Sequence, residues 1–195
     1  MADIYLVGVG GQGIITASRI IGDAAVLAGK NVLLSETHGM AQRGGSVICT
    51  ARIGNVYSPL IPDGRADVIL SFELLETLRA LCKASRNTIV VSSTEKIVPL
   101  SVSSQKLKYP ADEEVVAQVS KAAKTFITID APKVAAECGV SMSSNVVMVG
   151  ALAGTGVSGL ERIHFEKAIE MNIQRKLAEN LKAFSEGYRL AGQRA

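Results

Sequence analysis

The chain has 195 residues, 48% of them hydrophobic and 20% charged, the composition of a water-soluble globular protein with a sizeable core. Its 21 basic and 18 acidic residues leave a formal charge of +3, too balanced for a nucleic-acid-binding stripe, and 4% aromatics without Trp exclude stacking platforms for single strands. The longest apolar stretches, such as 145–153, reach about half the length of a membrane span and contain glycine.

The opening Met-Ala-Asp-Ile-Tyr-Leu-Val-Gly lacks the basic and long apolar regions of a secretory signal, so the expectation is a cytoplasmic protein with one domain over residues 1–195. Ile4 to Val7 reads as a strand ended by glycines. From Gln12, the residues Ile14, Ile15, Ser18, Ile21 and Ala25 follow helical spacing up to Gly29, a natural C-cap, before a second strand at Asn31 to Leu34. Together these predict a βαβ unit.

Ser46 to Ile53 is rich in β-branched residues and predicts a strand, with a turn at Gly54-Asn55 and a hairpin partner starting at Val56-Tyr57. Asp67 to Phe72 and Asn87 to Ser92 predict buried strands around a helix from Glu73 to Cys82. Thr94 to Pro110 loses periodicity and predicts a long loop. Beyond it come a helix at Asp112 to Ala123, a strand at Thr125 to Ile129, and a helix at Pro132 to Cys138 capped by Gly139. After Asn145 the pattern is helical throughout, in segments 145–152, 161–173 and 175–188. The fold class expected is α/β: a three-layer, Rossmann-like domain with a mostly parallel sheet, an antiparallel excursion around 46–58 and C-terminal helices.

Gly8, Gly10 and Gly13 satisfy G-x-G-x-x-G between a strand and a helix, and Glu36 lies 23 residues past the last glycine at the end of the next strand. Such a turn lets the backbone approach an anion at a helix N-terminus. Gly8, Gly10, Gly11, Gln12 and Gly13 are therefore candidate cofactor-binding residues; the bland alternative is a tight strand-to-helix turn. A second loop, Ser35 to Val47, gathers Glu36, His38, Gln42, Arg43, Gly44 and Gly45 at the carboxyl edge of the sheet, where ligands of open α/β sheets bind. These six are candidates for a substrate or partner loop.

These motifs carry a resemblance. Gly8-Val-Gly-Gly-Gln-Gly13, the block Glu36-Thr-His-Gly-Met-Ala-Gln-Arg-Gly-Gly45-Ser-Val, and Asn145-Val-Val-Met-Val-Gly-Ala-Leu-Ala153 together resemble the gamma-type domain of pyruvate/2-ketoisovalerate-like ferredoxin oxidoreductases. The middle block is worded like the indolepyruvate branch. The resemblance covers essentially the whole chain and implies a complex that oxidatively decarboxylates an aryl 2-oxoacid, joins the acyl group to coenzyme A and passes two electrons to ferredoxin. It also implies that thiamine diphosphate, its Mg and the iron–sulfur clusters reside on a large catalytic partner subunit, two copies of each subunit fitting the family.

The residues agree with that division. Cys49, Cys82 and Cys138 stand more than thirty positions apart, without a C-x-x-C, and no Gly-Asp-Gly motif for a thiamine-bound metal is present, so no metal site is expected here. The role left is to complete the assembly, shape the active site and hold the phosphate-bearing part of coenzyme A, or another anion, in the glycine loop.

His38 is a candidate catalytic acid or base, or else a structural hydrogen-bonding residue. Arg43 suits a carboxylate or phosphate, or a salt bridge to Glu36. Asn145 reads as an N-cap, Gly150, with Gly154 and Gly156 after it, as a site of close helix–sheet packing or a turn, and His164 as a surface residue. The C-terminal helices or the 94–110 loop are expected to meet the large subunit. Two other readings stay open: a free-standing NAD(P)- or flavin-dependent oxidoreductase, and a nucleotide-binding regulatory module.

Overall fold

Strand β1 (Ala2–Val9) is buried at all eight positions, as befits a strand covered on both faces. The computed structural model describes residues 1–38 (the backbone alone at His38), 44–97 and 109–193. Helix α1 (Ile14–Leu27) follows and buries Ile14, Ser18, Ile21 and Ala25 of the positions read from the sequence, with Ala17, Ile20 and Ala24 beside them, while Ile15 is exposed. Next come β2 (Val32–His38), β3 (Ser46–Ile53) and β4 (Val68–Ser71). Helix α2 (Leu74–Arg79) runs into a 3₁₀ turn (Ala80–Lys83) and then β5 (Ile89–Ser93). Helix α3 (Asp112–Ala122), β6 (Thr125–Ile129) and α4 (Ala131–Glu137) complete the alternation. Three helices close the described chain: α5 (Ser144–Gly154), α6 (Arg162–Asn172) and α7 (Leu177–Gly192).

Among the described residues the strands form one sheet in the order β2-β3-β1-β4-β5-β6. β1, β4, β5 and β6 are parallel neighbours, while β3 is antiparallel to both β1 and β2. Two antiparallel pairings in succession leave β2 pointing the same way as β1. The α/β class with an antiparallel excursion is therefore observed, with two corrections. β3 lies between β1 and β2, so the first βαβ unit is split. Val56-Tyr57 starts no hairpin partner, because both edges of β3 are already paired. Instead residues 58–60 cross the face of β3: Thr50 Oγ1 donates to the Pro59 carbonyl at 2.7 Å, and Arg52 Nη1 reaches the Ser58 carbonyl at 2.9 Å.

Successive side chains of β1 feed two cores, Ile4 and Leu6 into one and Tyr5 and Val7 into the other. The first is roofed by α1 and α4 to α7, the second by α2, the 3₁₀ turn and α3. Three layers result. On the second face the helices stop at β1, leaving Ser35, Thr37, Ile48, Thr50 and Arg52 of β2 and β3 to line an open cleft of 570 Å³. Asp3 and Arg52 face each other across β1 and β3, with Arg52 Nε 2.8 Å from Asp3 Oδ1.

Gly150, expected to admit a sheet or a turn, instead admits a helix, as does Gly187 opposite it. A Cβ on Gly150 would stand 2.1 Å from the Phe184 carbonyl oxygen, and one on Gly187 would stand 2.0 Å from that of Val147. Gly154 in turn meets Tyr188. From 150 with 184 to 154 with 188 both numbers rise, so α5 and α7 run in the same direction and begin at the same end of the molecule.

Candidate functional site

The carboxyl ends of β1 and β4 meet where the chain turns outward in both directions, the switch point at which open α/β sheets bind ligands. The glycine loop leaves β1 here. Gly13 caps α1 in the left-handed conformation, φ 74°, and no side chain caps that helix, which leaves its first N–H groups without a side-chain partner. Gly8 is pressed so closely that an added Cβ would lie 2.9 Å from Phe72 Cβ, whereas one on Gly11 would meet nothing within 4 Å. Gly11 is the open part of the loop, and Gly10 before it is half-buried.

Gln12 is committed to the protein itself. Its Oε1 accepts from the Val9 N–H at 2.8 Å, and its Nε2 donates to the Phe72 carbonyl at 2.7 Å and to Glu95 Oε2 at 2.9 Å. That amide stitches the ends of β1 and β4 and the segment after β5. Asn145 lies within the first turn of α5 rather than capping it, for Ser143 occupies the cap position. Its Nδ2 donates to the Gly13 carbonyl at 3.2 Å. The reason for the correction is distance along the chain: the partner is 132 residues away.

Among the described residues the two early loops meet at a backbone contact, Gly10 N–H to the Gly45 carbonyl at 2.9 Å. Gly44 is exposed and Glu36 is exposed at the end of β2, while His38 pairs through its backbone with Val47. Gln42, Arg43 and the His38 side chain lie outside the described residues, as does the Glu36–Arg43 pairing and most of the 94–110 loop. Because β3 intervenes, Glu36 sits two strands from the glycine loop, about 10 Å at the usual inter-strand spacing. In a dinucleotide fold the corresponding acid occupies the adjacent strand, about 5 Å away. This geometry counts against the NAD reading.

A buried acidic node beneath the loops was not anticipated from the sequence. Glu73 is the N-cap of α2 and accepts from the Glu76 N–H at 2.9 Å, from the Ile97 N–H at 3.1 Å and from the Tyr109 hydroxyl. Glu76 accepts from Ser46 Oγ at 2.7 Å and pairs with Arg79. Burial first, and then the bond to Glu73 and its charge, push the Tyr109 phenol well above its ordinary range. The available signal was two carboxylates at N-cap and N3 directly after a buried strand, a cap pattern at a sheet edge. Glu73 thus fixes both Ile97 and Tyr109 to the start of α2.

Among the described residues nothing assembles a nucleophile with a base. Ser71 donates to the Glu73 carbonyl, Ser92 pairs with Thr77, and His164 Nδ1 accepts from the Glu161 N–H at the start of α6. Burial, reinforced by Glu36, pushes Cys49 up to about 11, leaving it an unreactive thiol. Cys49 and Cys138 are buried and Cys82 is exposed, all three free. Among the described residues no group of three or more His, Cys, Asp or Glu is placed to hold a metal ion. No described helix is long and apolar enough to cross a membrane.

A family model for pyruvate ferredoxin/flavodoxin oxidoreductase matches residues 3–190. The chain belongs to that family. It is 44% identical over 190 residues to the indolepyruvate oxidoreductase subunit IorB of Archaeoglobus fulgidus, covering 97% of this chain and 94% of the relative. Among solved structures, pyruvate oxidoreductase subunit PORC of Thermotoga maritima superposes with a TM-score of 0.75 at 21% identity, covering 97% of this chain and 96% of that one. A 2-oxoglutarate:ferredoxin oxidoreductase of Magnetococcus marinus, solved with 2-oxoglutarate, coenzyme A and succinyl-CoA, matches all of this chain with 31% of its own (TM-score 0.73, 21% identity). These two likenesses establish the fold, and the family agrees with the resemblance carried by the sequence motifs.

Proposed function

We propose that this chain is the small subunit of an indolepyruvate-type 2-oxoacid:ferredoxin oxidoreductase, inactive alone and completed by a large catalytic subunit. The observation that carries this reading is end-to-end likeness to an indolepyruvate oxidoreductase subunit at 44% identity. The chemistry of such a complex calls for thiamine diphosphate with Mg and iron–sulfur clusters. The described residues of this chain do not fit them: its cysteines are scattered and no metal-holding cluster forms. We place those groups on the partner, with ferredoxin as electron acceptor and two copies of each subunit in the assembly.

For this chain we assign the Gly10–Gly11 turn, at the start of α1 that no side chain caps, to the phosphate-bearing part of coenzyme A or another anion. Glu36, His38, Gln42, Arg43, Gly44 and Gly45 form the loop facing substrate or partner, with His38 the one candidate for proton transfer. The fully exposed Tyr57 and the exposed Leu60, beside the open face of β2 and β3, support docking of the large subunit there. They suit it better than α7, whose outer face carries ion pairs such as Arg189–Glu186.

Reconstitution tests the reading. The two subunits together should reduce ferredoxin with an arylpyruvate and coenzyme A, while either alone gives no turnover. Full turnover by this chain alone, or tight NADH binding to it, would restore the dehydrogenase alternative. Binding of coenzyme A to the complex should weaken in Gly10→Asp relative to the unmutated control.

A further inference from the structure

The segment from Phe72 to Glu76, between β4 and the body of α2, supports the glycine turn from both sides. Before the turn, Gly8 lies so close that an added Cβ would stand 2.9 Å from Phe72 Cβ. After it, Gln12 Nε2 donates to the Phe72 carbonyl at 2.7 Å. Between these supports Gly10 and Gly11 have no side chains with which to fix themselves. The turn is closed by the Gln12 N–H on the Val9 carbonyl at 3.1 Å, and the Gly10 N–H leaves it for the Gly45 carbonyl at 2.9 Å.

That outward contact is itself anchored. The Gly45 carbonyl belongs to the planar peptide joining Gly45 to Ser46, so holding Ser46 restricts where the carbonyl points. Ser46 faces Val9 across β1 and β3, and its Oγ donates to Glu76 Oε2 at 2.7 Å. Glu76 is 1% exposed, and its other oxygen takes Arg79 Nη1 at 2.5 Å, so the carboxylate is gripped at both ends. Forming α2 does not require this acid. Glu73 is the cap, and Glu76 supplies only a backbone N–H to it. A carboxylate is costly to bury, and what this one holds is the end of the second loop.

We infer that Glu76 is a positioning residue for the glycine turn, acting on the Gly10 N–H through the Ser46 hydroxyl and the Gly45–Ser46 peptide. A turn held in one arrangement binds its ligand without an ordering cost at the moment of contact. The inference rests on the assignment of this turn to the phosphate-bearing part of coenzyme A and names the residue that sets it.

Hydrogen exchange on the full chain tests the coupling. Ser46→Ala should quicken exchange of the Gly10 amide about tenfold, the worth of one hydrogen bond to a charged acceptor, while the Leu6 amide, in a strand paired on both sides, keeps its rate. Ser46→Thr keeps the hydroxyl and suits a strand, so it should match wild type. Glu76→Gln should act in the same direction as Ser46→Ala, and the two together no more than Ser46→Ala alone. In the reconstituted complex, Ser46→Ala should raise KM for coenzyme A about tenfold with kcat and the KM of the 2-oxoacid unchanged, and Ser46→Thr should restore it. An unaltered Gly10 amide, Gly10 and Leu6 quickened alike, additive effects of the two substitutions, or a constant KM for coenzyme A while Gly10 loosens would each overturn the proposal. A wild-type complex without turnover would instead count against the functional reading, and the exchange rates would decide the coupling without it.

Discussion

Asn145 reaches from the first turn of α5 to the carbonyl oxygen of Gly13, the residue that caps α1, at 3.2 Å. The same side chain occupies the space a Cβ on Gly13 would need, with Nδ2 2.6 Å from that position. Asn145→Ala should therefore cost about 1 kcal/mol, the net worth of one hydrogen bond. Gly13→Ala should cost more, because it adds both a clash and a left-handed alanine. Denaturant melts of the two variants check the ordering, and equal stability of Gly13→Ala and wild type would refute it.

Gln12→Glu tests the stitch between β1, β4 and the segment after β5. The substitution keeps the acceptor for Val9 but replaces the donor to Phe72 and Glu95 with a second carboxylate. Like charges at hydrogen-bonding distance are unfavourable until one takes a proton. The variant should lose about 2 kcal/mol at neutral pH and recover part of it below pH ~5, as a carboxyl is protonated. Stability measured at both pH values is the check.

The close approach of α5 and α7 permits no side chain at its centre. Gly187→Ala should destabilise by about 1–3 kcal/mol through overpacking against the Val147 carbonyl. For a chain of this length each kcal/mol lowers Tm by about 2–4 °C. Calorimetry giving an unchanged or higher Tm would mean the helices separate without cost.

Alkali should unfold the protein through groups that the fold keeps protonated. Burial raises Cys49 from 9.0 to about 11, and burial with Cys82, Asp63 and Glu76 nearby raises Tyr5 from 10.0 to about 12. In both cases the folded form binds the proton more tightly than the unfolded one. The stabilisation is therefore complete below pH 9.0 and is lost as pH rises through about 11 and then 12. Cys49→Ala should flatten the fall in unfolding free energy between pH 9.0 and 11. A slope identical to wild type would count against it.

Tyr57→Asp should leave the fold and melting of this chain unaltered, since the side chain is fully exposed. If the open face of β2 and β3 receives the large subunit, the variant should weaken co-purification about tenfold or more. Unchanged association by light scattering would move the interface elsewhere.

Local pattern made much of this architecture readable. β3 at Ser46–Ile53 and β6 at Thr125–Ile129 match their sequence expectations residue for residue, because β-branched runs bounded by turns declare both ends. Gly29 and Gly139 marked helix ends correctly. What escaped depends on residues distant in the chain. Gln12 looked like a ligand contact because Phe72 and Glu95 lie 60 and 83 positions away. The burial of Glu73 and Glu76 could not be read locally either, because their partners Ile97, Tyr109 and Ser46 lie 24, 36 and 30 positions away. The insertion of β3 was invisible for the same reason, since a run of apolar residues does not state its neighbour.

That insertion constrains how the sheet can assemble. β1 cannot zip directly onto β2, so the cheapest early pairing is β2 with β3, consecutive strands whose register sets His38 against Val47. The connector between them, which bears Gln42 and Arg43, is thereby tethered at both ends before the central strand arrives. A full-length chain refolding would set the spacing of that connector first and build the rest of the edge around it.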